Sequence, residues 1–203
     1  MSAFAIALGD GLELRLREAR LADEYLAMIE RNLDRLAPWE AWSTQPQTMY
    51  GMRSWLEHGM NELAAGRSVP AVVVEEGALI GSAGLRIDPD NGVGTLGYWL
   101  DGGAEGRGIM TRAAQALVRL GLEDLGLGRI EARVHPDNAR SRAVLGRVGL
   151  HHEATLARAV VIGGTRHDDE VWALLAPDPL HEAEHDDTGP GTDPGASTDR
   201  RTR

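Results

Sequence analysis

At 203 residues the chain is long enough for one domain of ordinary size with a full core, and two complete domains do not fit. A formal net charge of −10 excludes a general nucleic-acid binder, which needs a basic face, yet an acidic surface can steer one cationic partner inward. Cysteine is absent and all 21 basic residues are Arg, which excludes a disulfide framework, a thiolate zinc site, a cysteine nucleophile and any Schiff-base or P-loop lysine.

Met1 to Gly11 has neither a basic start nor a long apolar core, so no secretion signal is expected. No later apolar run reaches the length of a membrane span. The expectation is a cytoplasmic protein with no membrane and no nucleic-acid partner. Leu12, Leu14 and Leu16 alternate with charged residues as a half-buried strand. Leu21 to Leu36 has helical spacing and is broken by Pro38-Trp39-Glu40-Ala41-Trp42. Thr48 to Ala65 is a second helix, ended by Gly66. Val69 to Val74 and Ala78 to Ile87 form a hairpin around Glu76-Gly77, and Asp90-Asn91-Gly92 turns into a strand over Val93 to Leu100. A long helix follows over Thr111 to Leu125, then a strand through Ile130 and Val134 and a short helix over Asn138 to Val148. Leu150 to Ile162 and Glu170 to Leu175 are late strands around Gly163-Gly164. From Pro177 apolar residues nearly vanish, so a domain over 1–176 and a disordered acidic tail over 177–203 are expected.

The most informative stretch is Glu105-Gly106-Arg107-Gly108-Ile109-Met110-Thr111, between a strand and a helix. Glycines let backbone N–H groups approach a phosphate, and the first N–H groups of a helix lack intrahelical partners at the positive end of its dipole. A pyrophosphate suits such a terminus. The dinucleotide fingerprint fits poorly, because Thr111 stands where its third Gly would be, and Gly-Lys-Ser/Thr is absent. By itself the stretch also reads as an ordinary surface turn. A second constellation is Asn138 and Ser141: Asn138 is placed to cap the short helix, and Ser141 faces the same side three residues later. Alone, this reads as a capped surface helix.

Taken together, these motifs resemble the GCN5-related N-acetyltransferase (GNAT) family, above all its branch of ribosomal-protein N-terminal acetyltransferases. The likeness runs from Leu12 to Leu175. It is carried by Leu36-Ala37-Pro38-Trp39-Glu40-Ala41-Trp42, Gly97-Tyr98-Trp99-Leu100, Arg107-Gly108-Ile109-Met110-Thr111, Asn138-Ala139-Arg140-Ser141-Arg142-Ala143-Val144-Leu145, Val148-Gly149-Leu150 and His167-Asp168. The resemblance implies a single α+β domain: a mixed, mostly antiparallel twisted sheet of about seven strands with helices on both faces. Two central strands, ending near Leu100 and His135, would splay apart to admit the cofactor. It implies acetyl-CoA as cosubstrate, with the backbone of Trp99 and Leu100 on the pantetheine arm. Glu105, Gly106, Arg107, Gly108, Ile109, Met110 and Thr111 would cradle the pyrophosphate. Asn138 would bond the pantetheine, and Ser141 would protonate the departing thiolate. No metal is implied.

Two departures bear on the chemistry. The family's Gly motif usually opens with Gln or Arg, where this chain has Glu105, and a glutamate often precedes the Gly-Tyr pair, where this chain has Thr95. The nucleophile must be a neutral amine. At pH 7 deprotonation costs roughly 1–1.4 kcal/mol for an α-amine and about 4.6 kcal/mol for a lysine side chain. Loss of the carboxylate at Thr95 therefore favours an α-amine or a low-pKa small amine. Glu40, His135 and His167-Asp168 are the replacement base candidates; Glu40 sits between two tryptophans, where desolvation raises a carboxyl pKa. Trp39, Trp42 and Trp55 are candidates for the substrate wall, or are core. His181-Glu182-Ala183-Glu184-His185 matches the HExxH pattern, but in a tail with no stable helix to display it.

The expected reaction is direct transfer of an acetyl group from acetyl-CoA to a primary amine, in first place a protein N-terminal α-amine, by a monomer or homodimer. The alternatives are a small-molecule amine acceptor and a non-catalytic acyl-CoA-binding module.

Overall fold

The computed structural model describes residues 4–177. Eight strands form one sheet in the order β1-β2-β3-β4-β5-β6-β8-β7. They are β1 (Ala5–Gly9), β2 (Leu12–Leu16), β3 (Ser68–Glu75), β4 (Ala78–Asp88), β5 (Val93–Leu100), β6 (Arg129–Val134), β7 (His151–Ile162) and β8 (Thr165–Leu175). All neighbours are antiparallel except β5 and β6. The sheet thus has one strand more than the sequence suggests. The addition is β1, a short uninterrupted apolar run that pairs with β2 across a turn with Asp10 at φ +52° and Gly11 at φ +72°.

Alternation along the strands builds two cores. Leu12, Leu14, Val69, Ala71, Val73, Ala83, Leu85 and Leu96 face α4 (Ile109–Arg119), whose Ile109, Met110, Ala113, Ala114 and Leu117 are buried against them. On the other face Val72, Val74 and Leu79 meet α1 (Ala22–Glu30) and α3 (Met49–Ala64) through Tyr25, Met28, Ile29, Met52 and Leu56. Helices therefore cover both faces.

The helix expected over Leu21 to Leu36 is broken. After α1 the chain turns at Asn32 and resumes as the single turn α2 (Leu33–Leu36). Buried Asn32 explains the break: its Nδ2 donates to Met28 O at 2.8 Å, and its Oδ1 accepts from Gly102 N at 3.0 Å, tying the helix end to the exit of β5. The helix expected through Leu125 likewise ends at Arg119 and widens into a π-turn over Leu120–Asp124. There Gly121 lies against Ile130; a Cβ would come within 2.6 Å of its Cδ1. The short α5 (Ala139–Arg147) follows β6.

The feature that creates the site is the fate of the parallel pair. β5 and β6 are in register only from Val93/Arg129 to Leu96/Ala132. Beyond that, β5 stays on β4 through Leu100, paired with Gly81, while β6 stays on β8 through Val134, paired with Glu170. The sheet splits between Gly97–Leu100 and Arg133–Val134.

Candidate active site

The backbone edge of Trp99 and Leu100 that faces the split has no strand partner, because the β5–β6 ladder stops at Leu96. Opposite it stands the N-terminus of α5. Asn138 caps this helix, its Oδ1 accepting from Ser141 N at 3.1 Å, which leaves its Nδ2 donors for another acceptor. The cap therefore leaves this side chain able to bond a ligand as well.

Tyr98 bridges the split. Its hydroxyl lies 3.1 Å from both the carbonyl oxygen and the Oγ of Ser141. Burial pushes the phenol up to about 12, partly offset by the Ser141 bond, so the hydroxyl keeps its proton across the physiological range. Tyr98 lies within the Gly97-Tyr98-Trp99-Leu100 motif, where nothing local in the sequence gives it a role. Its signal was the alternation that puts Tyr98 on the face opposite Trp99; its partner lies 43 residues away.

α5 is anchored from behind. Arg142 Nε donates to buried Glu170 Oε2 at 3.0 Å, which also accepts from Trp172 Nε1 at 2.8 Å. This fixes the helix to β8 and so fixes Ser141 beside Tyr98.

The Gly turn opens α4. Gly106 and Gly108 have φ of +78° and +71°, and Gly108 is the N-cap residue. A Cβ at either would meet nothing within 4 Å, so the turn presents open backbone surface. The helical ladder begins with Arg112 N to Gly108 O at 3.2 Å, leaving the N–H groups before it without an intrahelical acceptor. The carboxylate of Glu105 is paired with both Arg35 and Arg140, the latter at 2.6 Å. One guanidinium charge is left over beside the turn, so Glu105 does not make the site repel a phosphate. Arg107 pairs with Glu75. Ile109 and Met110 are buried, and Thr111 is half-buried in the first turn of the helix. An open, cation-flanked helix N-terminus next to a split strand edge fits the pyrophosphate and pantetheine of CoA.

On the α1/α3 face a cavity of about 670 Å³ reaches the split along Leu96, Gly97, Tyr98 and Trp99. Its floor holds the cross-strand pair Gly84 and Gly97. A Cβ on Gly97 would find open space, whereas one on Gly84 would come within 2.7 Å of Val69 O. Trp42 and Trp55 line this cavity, and their rings lie near those of Trp99 and Tyr25 respectively. Glu40 lines it too; Trp42 Nε1 donates to its Oε2 at 2.8 Å. Burial raises the Glu40 pKa above its ordinary 4.5, and the Trp42 bond pulls it partly back. Thr95 lies on the same floor.

Trp39 and His135 form a separate group. The Trp39 ring meets His135 edge-on at 5.4 Å, and His135 Nε2 lies 3.1 Å from His167 Nδ1. His135 Nδ1 accepts from Asp137 N at 3.1 Å, so its Nε2 carries the proton and donates to His167. Neither Trp39 nor His135 lines the 670 Å³ cavity. Asp168, beside His167, instead accepts from Arg158 N at 2.8 Å, steadying a β7 bulge where Arg158 has φ +54°. The HExxH match and the tail lie outside the described residues; among those, no cluster of metal-ligating side chains occurs, and no helix is long and apolar enough to cross a membrane.

Comparison with known proteins agrees with this architecture. A Bacillus subtilis (strain 168) protein named "Putative ribosomal N-acetyltransferase YdaF" is 27% identical over 174 residues, covering 85% of this chain and 95% of that protein. The Escherichia coli (strain K12) ribosomal-protein-serine acetyltransferase is 31% identical over 105 residues, 51% of this chain and 59% of that protein. Among solved structures, the ribosomal alpha-N-protein acetyltransferase RimL in complex with coenzyme A superposes with a TM-score of 0.82 at 22% identity, covering 85% of this chain and 98% of that one. Mycobacterium smegmatis RimJ in complex with CoA-disulfide gives 0.75 at 27% identity, covering 81% and 82%. The family model described as the acetyltransferase (GNAT) domain matches residues 13–151, and the chain belongs to this acetyltransferase family.

Proposed function

We propose that the chain transfers an acetyl group from acetyl-CoA to a primary amine, in first place the α-amine of a protein N-terminus. The observation that carries the reading is the split between β5 and β6, with a phosphate-accepting turn at one end and the acceptor cavity opening onto it at the other. Bound acetyl-CoA supplies the activated acetyl group. Gly106, Gly108 and the first turn of α4 hold its pyrophosphate, and the free edge of Trp99 and Leu100 with Asn138 Nδ2 holds its pantetheine arm. Holding both partners in one split supplies much of the rate through orientation.

Protons move at two places. On the cavity side, Glu40 accepts the proton of the attacking amine; its raised pKa makes it a better base than an exposed carboxylate. On the α5 side, Ser141 Oγ gives its proton to the leaving thiolate while the Tyr98 hydroxyl 3.1 Å away passes Ser141 a proton and takes one from solvent, so both hydroxyls end as they began. His135 and His167, with Trp39, do not line the cavity, so this reading gives them no part in deprotonating the amine. No covalent enzyme intermediate is needed.

Three of the four relatives support the choice of acceptor, since their names refer to ribosomal or ribosomal-protein acetylation. The test is thiol release from acetyl-CoA across a panel of peptide N-termini and small amines. Release with peptide α-amines at a kcat/KM well above that for lysine side-chain amines supports the reading. Release only with small metabolite amines transfers it to that acceptor class, and CoA binding with no release on any amine refutes it.

A further inference from the structure

Eighteen arginines fall among the described residues, and twelve of them have an acidic ion-pair partner. Of the six without one, Arg86, Arg119, Arg147, Arg158 and Arg166 are exposed, Arg86 where it lines the acceptor cavity. Arg17 is not. It leaves the end of β2, its backbone N–H on Pro70 O at 3.1 Å, and runs into the acceptor cavity. Its guanidinium lies 3.8 Å from the centre of the Trp55 ring and 5.9 Å from that of Tyr25. Nη1 donates to Ser82 Oγ at 3.0 Å, and Nε is buried with no hydrogen-bond partner. Burial pulls its pKa down, with only the Tyr25 hydroxyl opposing the shift.

Stacking on aromatic faces offsets part of the cost of a desolvated cation. It does not replace a counter-charge, and a half-buried cation with no anionic partner is costly for a fold to keep. The cost falls in the cavity that receives the acceptor. Walls of Trp42, Trp55, Tyr25 and Trp99 lower the local dielectric and strengthen any ion pair formed there. One guanidinium balances one unit of negative charge, and its planar fork matches a carboxylate.

We propose that Arg17 is the acceptor-recognition residue of this cavity, and that the acceptor is a primary amine bearing a carboxylate that pairs with Arg17 while its amine lies toward Tyr98 and Glu40. This rests on the acetyl-transfer reading above and narrows its substrate class. The carboxylate has two possible sources: an Asp or Glu side chain near a peptide N-terminus, or the α-carboxylate of a free amino acid.

The experiment uses the full chain with acetyl-CoA and two matched acceptor pairs, read by thiol release. One pair is a short peptide with Asp near its N-terminus and the same peptide with Asn; the other is a free amino acid and its amide. In the wild type the carboxylate member of one pair, which identifies the source, should exceed its neutral partner by at least about thirtyfold in kcat/KM, the lower bound for losing one partner of a buried charge pair. In Arg17→Met this ratio should collapse to a few-fold, and Arg17→Lys should recover only part of it. A second readout is independent of turnover: the Arg17 Nε–H resonance of the wild-type chain, titrated with succinate and with succinamide. A saturable shift with succinate alone is expected. Equal use of both members in both pairs, a ratio unchanged in Arg17→Met, or a resonance that moves with phosphate and not with succinate would each overturn the proposal. Should Arg17→Met fail to fold, the wild-type ratios and the titration decide. If CoA binds and no amine releases thiol, the transfer reading fails, and the succinate titration still decides Arg17.

Discussion

At the scale of the residue, the site depends on burial changing what ordinary side chains do. Glu40 is raised above 4.5, so its charged form is penalised in the fold. The linkage has a definite sign: a carboxyl whose folded pKa is raised stabilises the native state below its unfolded value and loses that contribution as pH rises through the folded value. At neutral pH the Glu40 charge costs stability. Glu40→Gln should therefore lower kcat by about 10²-fold or more while leaving the melting temperature at pH 7 unchanged or higher. A variant with normal kcat would remove Glu40 from the chemistry. The acid limb of the wild-type kcat profile should lie above 4.5 and vanish in this variant. Tyr98, held near 12, stays protonated at every working pH, so no alkaline loss of rate from its ionisation is expected below about 12. Ser141→Ala should lower kcat by about 10²–10⁴-fold with CoA affinity nearly unchanged. Asn138→Ala should weaken CoA binding more than kcat, and cost about 1 kcal/mol of stability through the lost cap; stopped-flow turnover and calorimetry separate the two.

At the scale of the element, the strands were legible because Leu12/Leu14/Leu16 or Ile130/Ala132/Val134 obey a period of two that burial on one face enforces. The Glu76-Gly77 turn was legible because both residues take positive φ, 49° and 91°, as a tight hairpin demands. β1 was missed because an apolar run of five residues carries little periodicity. The break at Asn32 has no local signal because one of the two bonds that set it comes from Gly102 N, 70 residues further along the chain. The same reason hides the site's supports: Tyr98 to Ser141, His135 to His167 and Arg142 to Glu170 are contacts between distant segments, and no local pattern announces them. Arg17 reads as an ordinary strand-end charge until its neighbours are known. At this scale the anchor of α5 is testable. Glu170→Ala leaves Arg142 and Trp172 Nε1 without their shared acceptor; because Arg142 is partly exposed, the loss should be about 1–3 kcal/mol. The drop in kcat should exceed the drop in CoA affinity, since Ser141 is displaced more than the Gly turn. Equal losses in both, with denaturation showing global softening, would make the pair merely structural.

At the scale of the whole molecule, a single sheet does two jobs because two strands part company halfway along. Up to Leu96 and Ala132 the parallel pair completes the core; beyond them it leaves backbone edges that a ligand can use. In the reaction proposed above, one face would receive the cofactor at α4 and α5, and the other would receive the acceptor beneath α1 and α3. The central claim is that CoA is bound through the Gly turn. It is tested most directly by titrating CoA into the full chain and into Gly108→Asp by calorimetry. Gly108 sits at φ +71° with open space where a Cβ would go, so the aspartate brings both backbone strain and a negative charge into the cradle. The wild type should bind at one saturable site and gain about 2.7 kcal/mol of stability at a hundredfold excess over Kd; the variant should remain folded and show no binding heat. CoA binding of unchanged affinity in Gly108→Asp would contradict the account.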